Sequence, residues 1–393
     1  MKNNIVSLKA YSLMLYIVLL PLANLRLGSI GSLLKWIALI PISINMLEIL
    51  KEKKIRVNKA NRWLLLYSIY LLLTVLYSIK PASSLVRVQT YFLFSLLIIS
   101  VNSSPYSEYE INYIKISMVI SSVITGILVL VFAEFIDGHR LTLGGIFSED
   151  PNYLVGYFIF STIFCMSYFF KGEKFKRSHK ISLFIIIGFF LWIVFLTGSR
   201  GGLIAIIAAL GTYYLCEVIN GKNKGRKILN LVLILIILSI SVILLMKYLP
   251  KELTSRFDIS NIIKGNGTGR FDLWRKSIEI FKHSTGYRMI FGYGAATIAD
   301  ISVDGIYIGR PAHNFWIENL LEIGILGVII LGIMYYKFLS IAYKNKDFIS
   351  FASLMGMMFL SLSLSIQAFK PLWNILIIIG LYRYIYKTKE SKL

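Results

Sequence analysis

Long apolar segments separated by short polar ones recur along nearly the whole chain. Segments of about 18 to 24 residues are long enough to cross the roughly 30 Å hydrocarbon core of a bilayer as helices. The pattern therefore predicts an all-α polytopic membrane protein with about twelve transmembrane helices and one large external loop. The predicted spans are residues 10–26, 29–50, 62–79, 85–101, 113–135, 153–170, 181–197, 201–219, 228–249, 314–342, 348–368 and 371–386.

Composition supports the same fold class. Of the 393 residues, 56% are apolar and 16% are charged, a balance typical of a chain whose solvent is mostly lipid. The first apolar run is followed by Pro21-Leu-Ala-Asn-Leu-Arg and not by a small-residue cleavage site, so we expect the first span to stay in the mature protein. Cys165 and Cys216 lie within apolar runs, which indicates packing and neither a disulfide nor a metal site. The predicted membrane domain is divided into nine spans over residues 1–249, the loop over residues 250–312 and three spans over residues 313–393.

The net charge of +22 comes largely from Lys and Arg residues in loops, without a recognisable nucleic-acid-binding motif. We therefore interpret the charge first as a topology signal and expect no nucleic-acid partner. When the predicted spans alternate, the basic loops fall on one side, which the positive-inside rule makes cytoplasmic, together with both termini. These basic segments are residues 51–59, 171–180, 222–227 and 344–346 and the tail from residue 387.

The predicted loop between the ninth and tenth spans carries many positive charges on the opposite, outer side. They are Lys251, Arg256, Lys264, Arg270, Arg275, Lys276, Lys282, Arg288 and Arg310. Loops of about sixty residues are largely released from the positive-inside rule, so topology tolerates these charges without explaining them. An anionic ligand would explain them.

Four apolar residues recur at helical spacing within this loop, opposite a charged side. They are Phe271, Trp274, Ile278 and Phe281. The pattern predicts an amphipathic helix that lies on the membrane face. Glycine-rich segments at residues 265–269 and 291–294 flank this helix and predict a lid with hinges. A helix that only seals the bundle against water is the alternative.

The segment Thr197-Gly-Ser-Arg-Gly-Gly202 stands at the start of a predicted span. Its glycines remove neighbouring side chains, so we expect the Arg200 guanidinium and several backbone N–H groups to face one point. Such a turn at a helix start suits a phosphate, although a tight hairpin with Arg200 at the lipid headgroups is the alternative. Arg26, Lys35 and Arg87 also lie near outer ends of predicted spans, where a charge faces a cavity or reaches the headgroups.

The segment Arg310-Pro-Ala-His-Asn314 joins the loop to the tenth predicted span. It places the titratable imidazole of His313 where a water-accessible segment returns to the bilayer, a suitable position for acid–base chemistry. The alternative is that His313 or Asn314 only caps the following helix, whose first N–H groups lack partners.

The order of these motifs resembles that of a known family. Motifs in the same order are found in the O-antigen ligase and polymerase superfamily, which the chain also resembles in its arrangement of spans. The motifs are Gly145-Ile-Phe-Ser-Glu-Asp-Pro-Asn-Tyr153, Thr197-Gly-Ser-Arg-Gly-Gly-Leu-Ile204, Gly269-Arg-Phe-Asp-Leu-Trp274, Phe291-Gly-Tyr-Gly294 and the segment from His313 to Gly327.

The resemblance implies an inverting glycosyltransferase that takes a polyprenyl-diphosphate-linked glycan as its donor on the outer face of the cytoplasmic membrane. It implies that Arg200 and Arg270 hold the diphosphate and that His313 activates the acceptor hydroxyl. The chemistry fits, because a diphosphate leaving group gains charge as the glycosidic bond breaks, and imidazole accepts a proton near neutral pH. Supporting candidates for the site are Asn314, Arg310, Asn152, Asp150, Arg87 and Lys35.

Two other classes of protein fit the sequence less well. The first class is a metal-dependent membrane glycosyltransferase, which usually has carboxylates in its first external loop. Here that loop, Pro21 to Gly31, lacks Asp and Glu, and the chain contains no Asp-x-Asp, so a metal-held diphosphate is disfavoured. We therefore expect neither a metal nor another cofactor. A polysaccharide or lipid transporter would place ionisable or helix-breaking residues near the bilayer midplane and show internal repeats, whereas the polar chemistry here gathers at one face.

Within the superfamily, we predict a polymerase of a surface polysaccharide, either O-antigen or capsule. It would transfer the glycan to another lipid-linked repeat unit, with a chain-length regulator as a further partner. The alternative is a ligase that transfers the glycan to lipid A-core or another acceptor. From the compact length we expect no appended domain for a protein acceptor, which argues against a protein ligase.

Overall fold

The computed structural model is predominantly helical. It describes residues 6–25, 28, 31–53, 55–137, 139–171, 177–221, 251–257 and 269–382, with isolated positions between 224 and 247. The α-helices are α1 (Leu8–Val18), α2 (Leu33–Glu52), α3 (Lys59–Tyr77), α4 (Pro81–Ser103), α5 (Glu108–Val131), α6 (Pro151–Leu154), α7 (Gly156–Lys171), α8 (Arg177–Leu196), α9 (Arg200–Asn220), α10 (Lys251–Thr254), α11 (Arg270–His283), α12 (Gly286–Phe291), α13 (Phe315–Lys344), α14 (Phe348–Ser361) and α15 (Lys370–Leu381).

Eight helical segments in the described ranges are long and apolar enough to cross a membrane. They are α2, α3, α4, α5, the segment Pro151–Phe169, α8, α9 and α13. The three shorter apolar helices α1, α14 and α15 coincide with the first, eleventh and twelfth predicted spans. The ninth predicted span, 228–249, lies mostly outside the described residues. An integral membrane protein is thus confirmed, whereas the count of twelve crossings stays a prediction.

Small sheets and short 3-10 helices interrupt the helical architecture, which the apolar pattern did not predict. Strand β1 (Ala133–Ile136) pairs antiparallel with β2 (Arg140–Leu143), and β3 (Ser302–Val303) pairs antiparallel with β4 (Ile306–Tyr307). The pair β1–β2 includes residues that we assigned to the end of the fifth span. The 3-10 helices are Leu20–Asn24, Gly145–Phe147, Ser255–Phe257 and Ile298–Asp300.

Helix α15 forms the centre of the bundle. Every residue from Pro371 to Leu381 is buried, and the helix packs against α4, α13 and α14. A helix that is apolar on all sides is stable in this position because every face finds a protein partner. The other main contacts pair α9 with α14 and α3 with α13. The turn before α15 is therefore fixed to the core of the molecule.

A break at Gly324 divides α13 into two helical parts. Gly324 has a positive φ of 66° and a ψ of −178°, which most residues with a side chain adopt only with strain. The break exposes backbone carbonyls that a continuous helix would have paired. Two of them accept hydrogen bonds from the neighbouring glycine motif: Tyr293 N donates to Leu321 O at 2.9 Å, and Gly294 N donates to Glu322 O at 2.8 Å.

The glycine motif at residues 291–294 is anchored by close contacts, and its role as a hinge stays a prediction. A Cβ atom added to Gly324 would lie 2.2 Å from the carbonyl oxygen of Ile290, so the two backbones approach as closely as glycine permits. The hydroxyl of Tyr77 donates to Phe291 O at 2.8 Å, and Arg288 Nη1 donates to Gly292 O at 3.1 Å. Most of the other proposed hinge, residues 265–268, lies outside the described residues.

Helix α11 forms in the predicted place, and a stripe other than the one that the sequence grouped packs against the protein. Leu273, Ser277 and Ile280 are its buried residues and belong to or contact a small core that includes Tyr293 and Leu321. Of the four apolar residues that the sequence grouped, Phe271 and Ile278 are 48% and 42% exposed, whereas Trp274 and Phe281 are partly buried. The exposed Phe271 and Ile278 leave apolar surface on this helix, and its placement on the membrane face stays a prediction.

A buried ion pair connects α5 with the start of α14. Lys115 Nζ lies 2.5 Å from Asp347 Oδ1, and the two side chains are 4% and 2% exposed. Asp347 also accepts a hydrogen bond from Ser350 N and so caps α14. A charge buried this deeply requires its partner, because an unpaired charge in an apolar interior is costly.

Candidate functional site

The turn from Thr197 to Gly202 ends α8 and begins α9. Gly198 has a φ of 60°, and the hydroxyl of Ser199 caps α9 by accepting a hydrogen bond from Gly202 N at 3.2 Å. A Cβ atom on Gly201 would lie 2.3 Å from Ser363 Oγ, and one on Gly202 would lie 2.7 Å from Val155. The two glycines after Arg200 are therefore explained by close packing, whereas the sequence interpretation assigned them to an open phosphate cradle.

Two arginines hold this turn in place, and the sequence analysis singled out neither as a site residue, although it named Arg256 among the positive charges of the loop. The buried Arg140 donates from Nε to Thr197 O at 3.0 Å and from Nη2 to Asn152 Oδ1 at 3.0 Å. Arg256 donates from Nε to Gly198 O at 3.4 Å. Both guanidinium groups thus lie beside the turn that carries Arg200. Arg140 is positioned by β2, and Arg256 is positioned by the segment after α10.

The predicted candidates Asp150 and Asn152 belong to the same network. Asp150 caps the short helix α6, and its Oδ1 accepts from the backbone N and the side-chain Nδ2 of Asn152, at 2.7 and 2.8 Å. Because its amide nitrogen is bonded to Asp150, the amide oxygen of Asn152 is left to face Arg140. These two residues therefore orient Arg140 toward the turn.

Four arginines are close enough to affect one another electrostatically. Burial lowers the pKa of Arg140, and the charges of Arg256 and Arg270 lower it further. Burial also lowers the pKa of Arg270, with Asp150 acting in the opposite direction and Arg256 adding to the decrease. The charges of Arg256 and Arg270 likewise act on Arg200. Four guanidinium groups together make the cluster a concentrated positive charge.

Arg200 has an unused donor within this arginine cluster, which we define as Arg140, Arg200, Arg256 and Arg270. Its Nε is buried and has no hydrogen-bond partner among the described residues. A buried donor without a partner is costly, and like charges held together repel. An anion with several oxygen acceptors would satisfy the donor and reduce the repulsion. The cluster is therefore suited to a phosphate or diphosphate.

His313 lies beside the arginine cluster in a constrained backbone conformation. Its φ is 52°, and its backbone N donates to Glu318 Oε1 at 3.0 Å. Burial lowers the pKa of His313, the charge of Arg270 lowers it further, and Glu318 and Asp150 oppose this decrease. Its Nδ1 is buried and makes no hydrogen bond within the described ranges. A neutral imidazole in this position can accept a proton near neutral pH.

Glu318 is the main residue of this region that the sequence analysis did not select. Its side chain is 2% exposed, and in addition to the His313 backbone N–H it accepts from Ser365 Oγ at 2.5 Å and Gln367 Nε2 at 2.7 Å. These contacts tie the His313 backbone to the turn before α15. A carboxylate inside an apolar run is itself a signal of a functional position, which could have identified Glu318 from sequence.

Asn314 is the residue that caps α13. Its Oδ1 accepts from Trp316 N at 3.1 Å and Ile317 N at 3.2 Å, and its Nδ2 donates to Leu362 O at 3.1 Å. Of the two residues that the alternative interpretation considered as caps, Asn314 has this role and the His313 side chain does not. The His313 imidazole is consequently left for another role.

Helix α11 is attached to the segment that carries His313. Trp274 Nε1 donates to Ala312 O at 2.9 Å. The exposed Arg310 lies near the start of the same helix, with its Nη2 3.7 Å from where a Cβ of Gly269 would be. The charge of Arg310 also lowers the pKa of His313. This attachment brings Arg270, at the first position of α11, next to His313.

Two of the supporting candidates lie outside the arginine cluster. Arg87, on α4, interacts electrostatically with Glu318 and Glu322, so it lies near the side of α13 that carries these two carboxylates. Lys35 is exposed and, together with Lys370, lines two cavities whose linings contain no residue of the arginine cluster. In the described ranges, no three His, Cys, Asp or Glu side chains come together as a set of metal ligands.

Comparison with known proteins agrees with the predicted resemblance. Residues 181–332 match the family model described as O-Antigen ligase. No curated protein sequence matched the chain. The matched range includes Arg200, Arg270, His313 and the break at Gly324. The match confirms the predicted resemblance to the O-antigen ligase and polymerase superfamily over this part of the chain.

Proposed function

We propose that this protein polymerises a bacterial surface polysaccharide, either O-antigen or capsule. It transfers a polyprenyl-diphosphate-linked glycan to a sugar hydroxyl of another lipid-linked repeat unit, with inversion and without a metal. The reaction takes place at the outer face of the cytoplasmic membrane, with both protein termini on the cytoplasmic side. The observation that carries the proposal is the arginine cluster beside His313.

The arginine cluster acts on the leaving group. As the bond between the anomeric carbon and the diphosphate oxygen breaks, negative charge grows on the diphosphate. Guanidinium groups already fixed at this point stabilise that charge more than they stabilise the bound donor, which lowers the barrier. The unused Nε of Arg200 and the first position of α11 at Arg270 supply donors for the phosphate oxygens.

His313 acts on the acceptor. The hydroxyl oxygen forms a bond to the anomeric carbon, its proton passes to the imidazole, and the polyprenyl diphosphate leaves from the opposite face. Attack opposite to the leaving group inverts the anomeric configuration. The lowered pKa of His313, caused first by burial, keeps the imidazole neutral and able to accept this proton. The Glu318 carboxylate holds the backbone from which it acts.

Ligation is the second candidate because the matched family is described by that activity. The same cluster and histidine would serve a ligase, since the donor and the leaving group are unchanged. The difference lies in the acceptor, which for a ligase is lipid A-core or another molecule and not a second repeat unit.

Reconstitution with defined acceptors tests the proposal. The full chain is purified into lipid nanodiscs and supplied with polyprenyl-diphosphate-linked single repeat units. We expect products of increasing length and release of polyprenyl diphosphate, both abolished in His313→Gln. Transfer of one glycan to lipid A-core without elongation would establish the ligase instead. Folded protein that transfers to neither acceptor, with repeat units from the source strain, would contradict a glycosyltransferase.

A further inference from the structure

Two cavities meet at a pair of lysines that the mechanism above does not use. Lys35, on α2, and Lys370, at the start of α15, line both a polar cavity of about 670 Å³ and an adjoining cavity of about 200 Å³. Ligand-binding cavities commonly measure about 300 to 1,000 Å³, so the first is large enough for more than a phosphate group. Residues 335 positions apart in sequence thus share one site.

The two cavities differ in chemistry. Besides the lysines, the larger one is lined by the polar or small residues Ala23, Asn24, Gly28, Gly31, Ser32 and Ser148, together with Ile146. The smaller one is lined mainly by apolar side chains of α2 and α4, which are Leu34, Ala38, Leu93, Phe94 and Leu97, with Tyr16, Thr90 and Ala368. A cationic polar chamber that continues into an apolar one matches a lipid with an anionic headgroup.

The two lysines contribute differently to this chamber. Lys370 Nζ donates to Ala23 O at 3.1 Å, and its charge acts on Glu149, so its position is fixed and part of its charge is balanced. Glu149 Oε2 accepts from Asn24 Nδ2 at 3.2 Å and from the Tyr157 hydroxyl at 3.3 Å, which directs that oxygen toward protein donors. Lys35 is the exposed cation of the pair, and it forms no ion pair with another described residue.

The site formed by Lys35, Lys370 and the two cavities that they line, which we call the lysine site, adjoins the arginine cluster through two short segments. Ile146 and Ser148 line the larger cavity, whereas Asp150, two residues later, acts electrostatically on His313 and Arg270. On the other segment, Gln367 holds Glu318, and Lys370 follows three residues later. A lipid held at the lysine site would therefore place its headgroup beside the residues that surround His313 without occupying the arginine cluster.

We propose that the lysine site binds the diphosphate of a second polyprenyl-linked glycan, the acceptor, and that the apolar cavity receives the first part of its isoprenoid chain. This inference rests on the proposed function, because only a polymerase needs two polyprenyl-diphosphate-linked substrates at once. The positive charges of Lys35 and Lys370 favour the phosphate end of the lipid, and the adjoining apolar cavity favours a lipid over a free phosphate.

Direct binding tests the inference separately from catalysis. The purified full chain is titrated with polyprenyl diphosphate, and the bound lipids are counted by native mass spectrometry. We expect two lipids per chain in the wild type. In Lys35→Gln one of them should bind about tenfold more weakly or be lost, since a charged hydrogen bond to phosphate is removed. Lys35→Arg should keep it, and Arg270→Gln should weaken the other.

Controls separate the remaining possibilities. Lys282→Gln, at an exposed lysine near the end of α11, should bind both lipids as the wild type does. Phosphatidylglycerol at the same concentration should not displace either lipid, and unphosphorylated polyprenol should not bind at the lysine site. A single bound lipid that both Lys35→Gln and Arg270→Gln weaken would overturn the inference, as would displacement by phosphatidylglycerol. Lipid binding that depends on Lys35 in a protein without elongation activity would instead overturn the polymerase.

Discussion

The backbone N–H of His313 donates a 3.0 Å hydrogen bond to the buried carboxylate of Glu318, five residues along the chain. This bond fixes a residue whose φ of 52° is unfavourable for a side chain with a Cβ atom. The same carboxylate is held by Ser365 and Gln367, so the position of His313 is set by the turn before the central helix.

Glu318→Ala should therefore lower kcat by about a hundredfold, because a displacement of the order of 1 Å at a reacting group has effects of that size. KM for the lipid-linked donor should change little, since the arginine cluster is retained. Steady-state kinetics on purified protein measure both values. An unchanged kcat at equal folded concentration would show that Glu318 only stabilises the turn.

The pH dependence of the rate should follow His313. A general base is active when neutral, so the rate should fall as the pH drops through its pKa, which lies below the ordinary value of about 6.5. Glu318→Gln removes a charge that raises this pKa, so the acidic limb should move to lower pH. Arg310→Gln removes a charge that lowers it, so the limb should move to higher pH. Shifts in the same direction in both variants would contradict the assignment.

His313→Gln and Asn314→Ala should separate catalysis from helix capping. His313→Gln should reduce turnover by about a hundred- to ten-thousand-fold while donor binding persists, because the proton acceptor is lost. Asn314→Ala should destabilise the fold by roughly 1 kcal/mol, the usual cost of a lost cap, with little change in rate per folded molecule. Elongation by His313→Gln at a near wild-type rate would require another base.

Arg200→Lys should severely impair transfer, because an ammonium group cannot reproduce the two parallel hydrogen bonds of a guanidinium to phosphate. Arg275→Ala is the matched control, since Arg275 is exposed on α11 and pairs with Asp272. Its loss should be small, as expected for an exposed ion pair. Equal losses in the two variants, at matched expression, would mean that Arg200 contributes only general electrostatics.

Lys115→Met should destabilise the protein by about 3 to 5 kcal/mol, because it leaves the buried Asp347 carboxylate without its partner. Lys115→Met combined with Asp347→Asn should recover much of this stability, since the amide can still cap α14. Thermal unfolding in detergent measures both. A double variant no more stable than Lys115→Met would show that packing and not charge governs this position.

The sequence allowed the membrane class, the positions of most helices and the grouping of Arg200, Arg270 and His313 to be predicted. Long apolar runs directly indicate helices in the membrane, and short motifs indicate residues that act near one another. Arg140 was not selected as a site residue in this way, and Arg256 was noted only as one of the positive charges of the loop. They are identified by hydrogen bonds to carbonyls of the turn at residues 197–198, and those contacts exist only after the chain has folded.

The buried face of α11 shows the limit of periodicity. Both the stripe with Phe271 and Ile278 and the stripe with Leu273 and Ile280 satisfy helical spacing, and burial was decided by what the helix packs against. Tyr293 and Leu321, which contribute to that partner core, are brought together by the break in α13. A local pattern could not contain this information.

The break at Gly324 also affects how this protein can diversify. The joint between the broken helix and residues 290–294 is made largely by peptide groups, and side chains are excluded from it at Gly292 and Gly324. Such a joint depends on these two glycines more than on the chemistry of the side chains around it. The exposed positions between Thr297 and Gly309, which lie outside this joint, can therefore change while the joint keeps its shape.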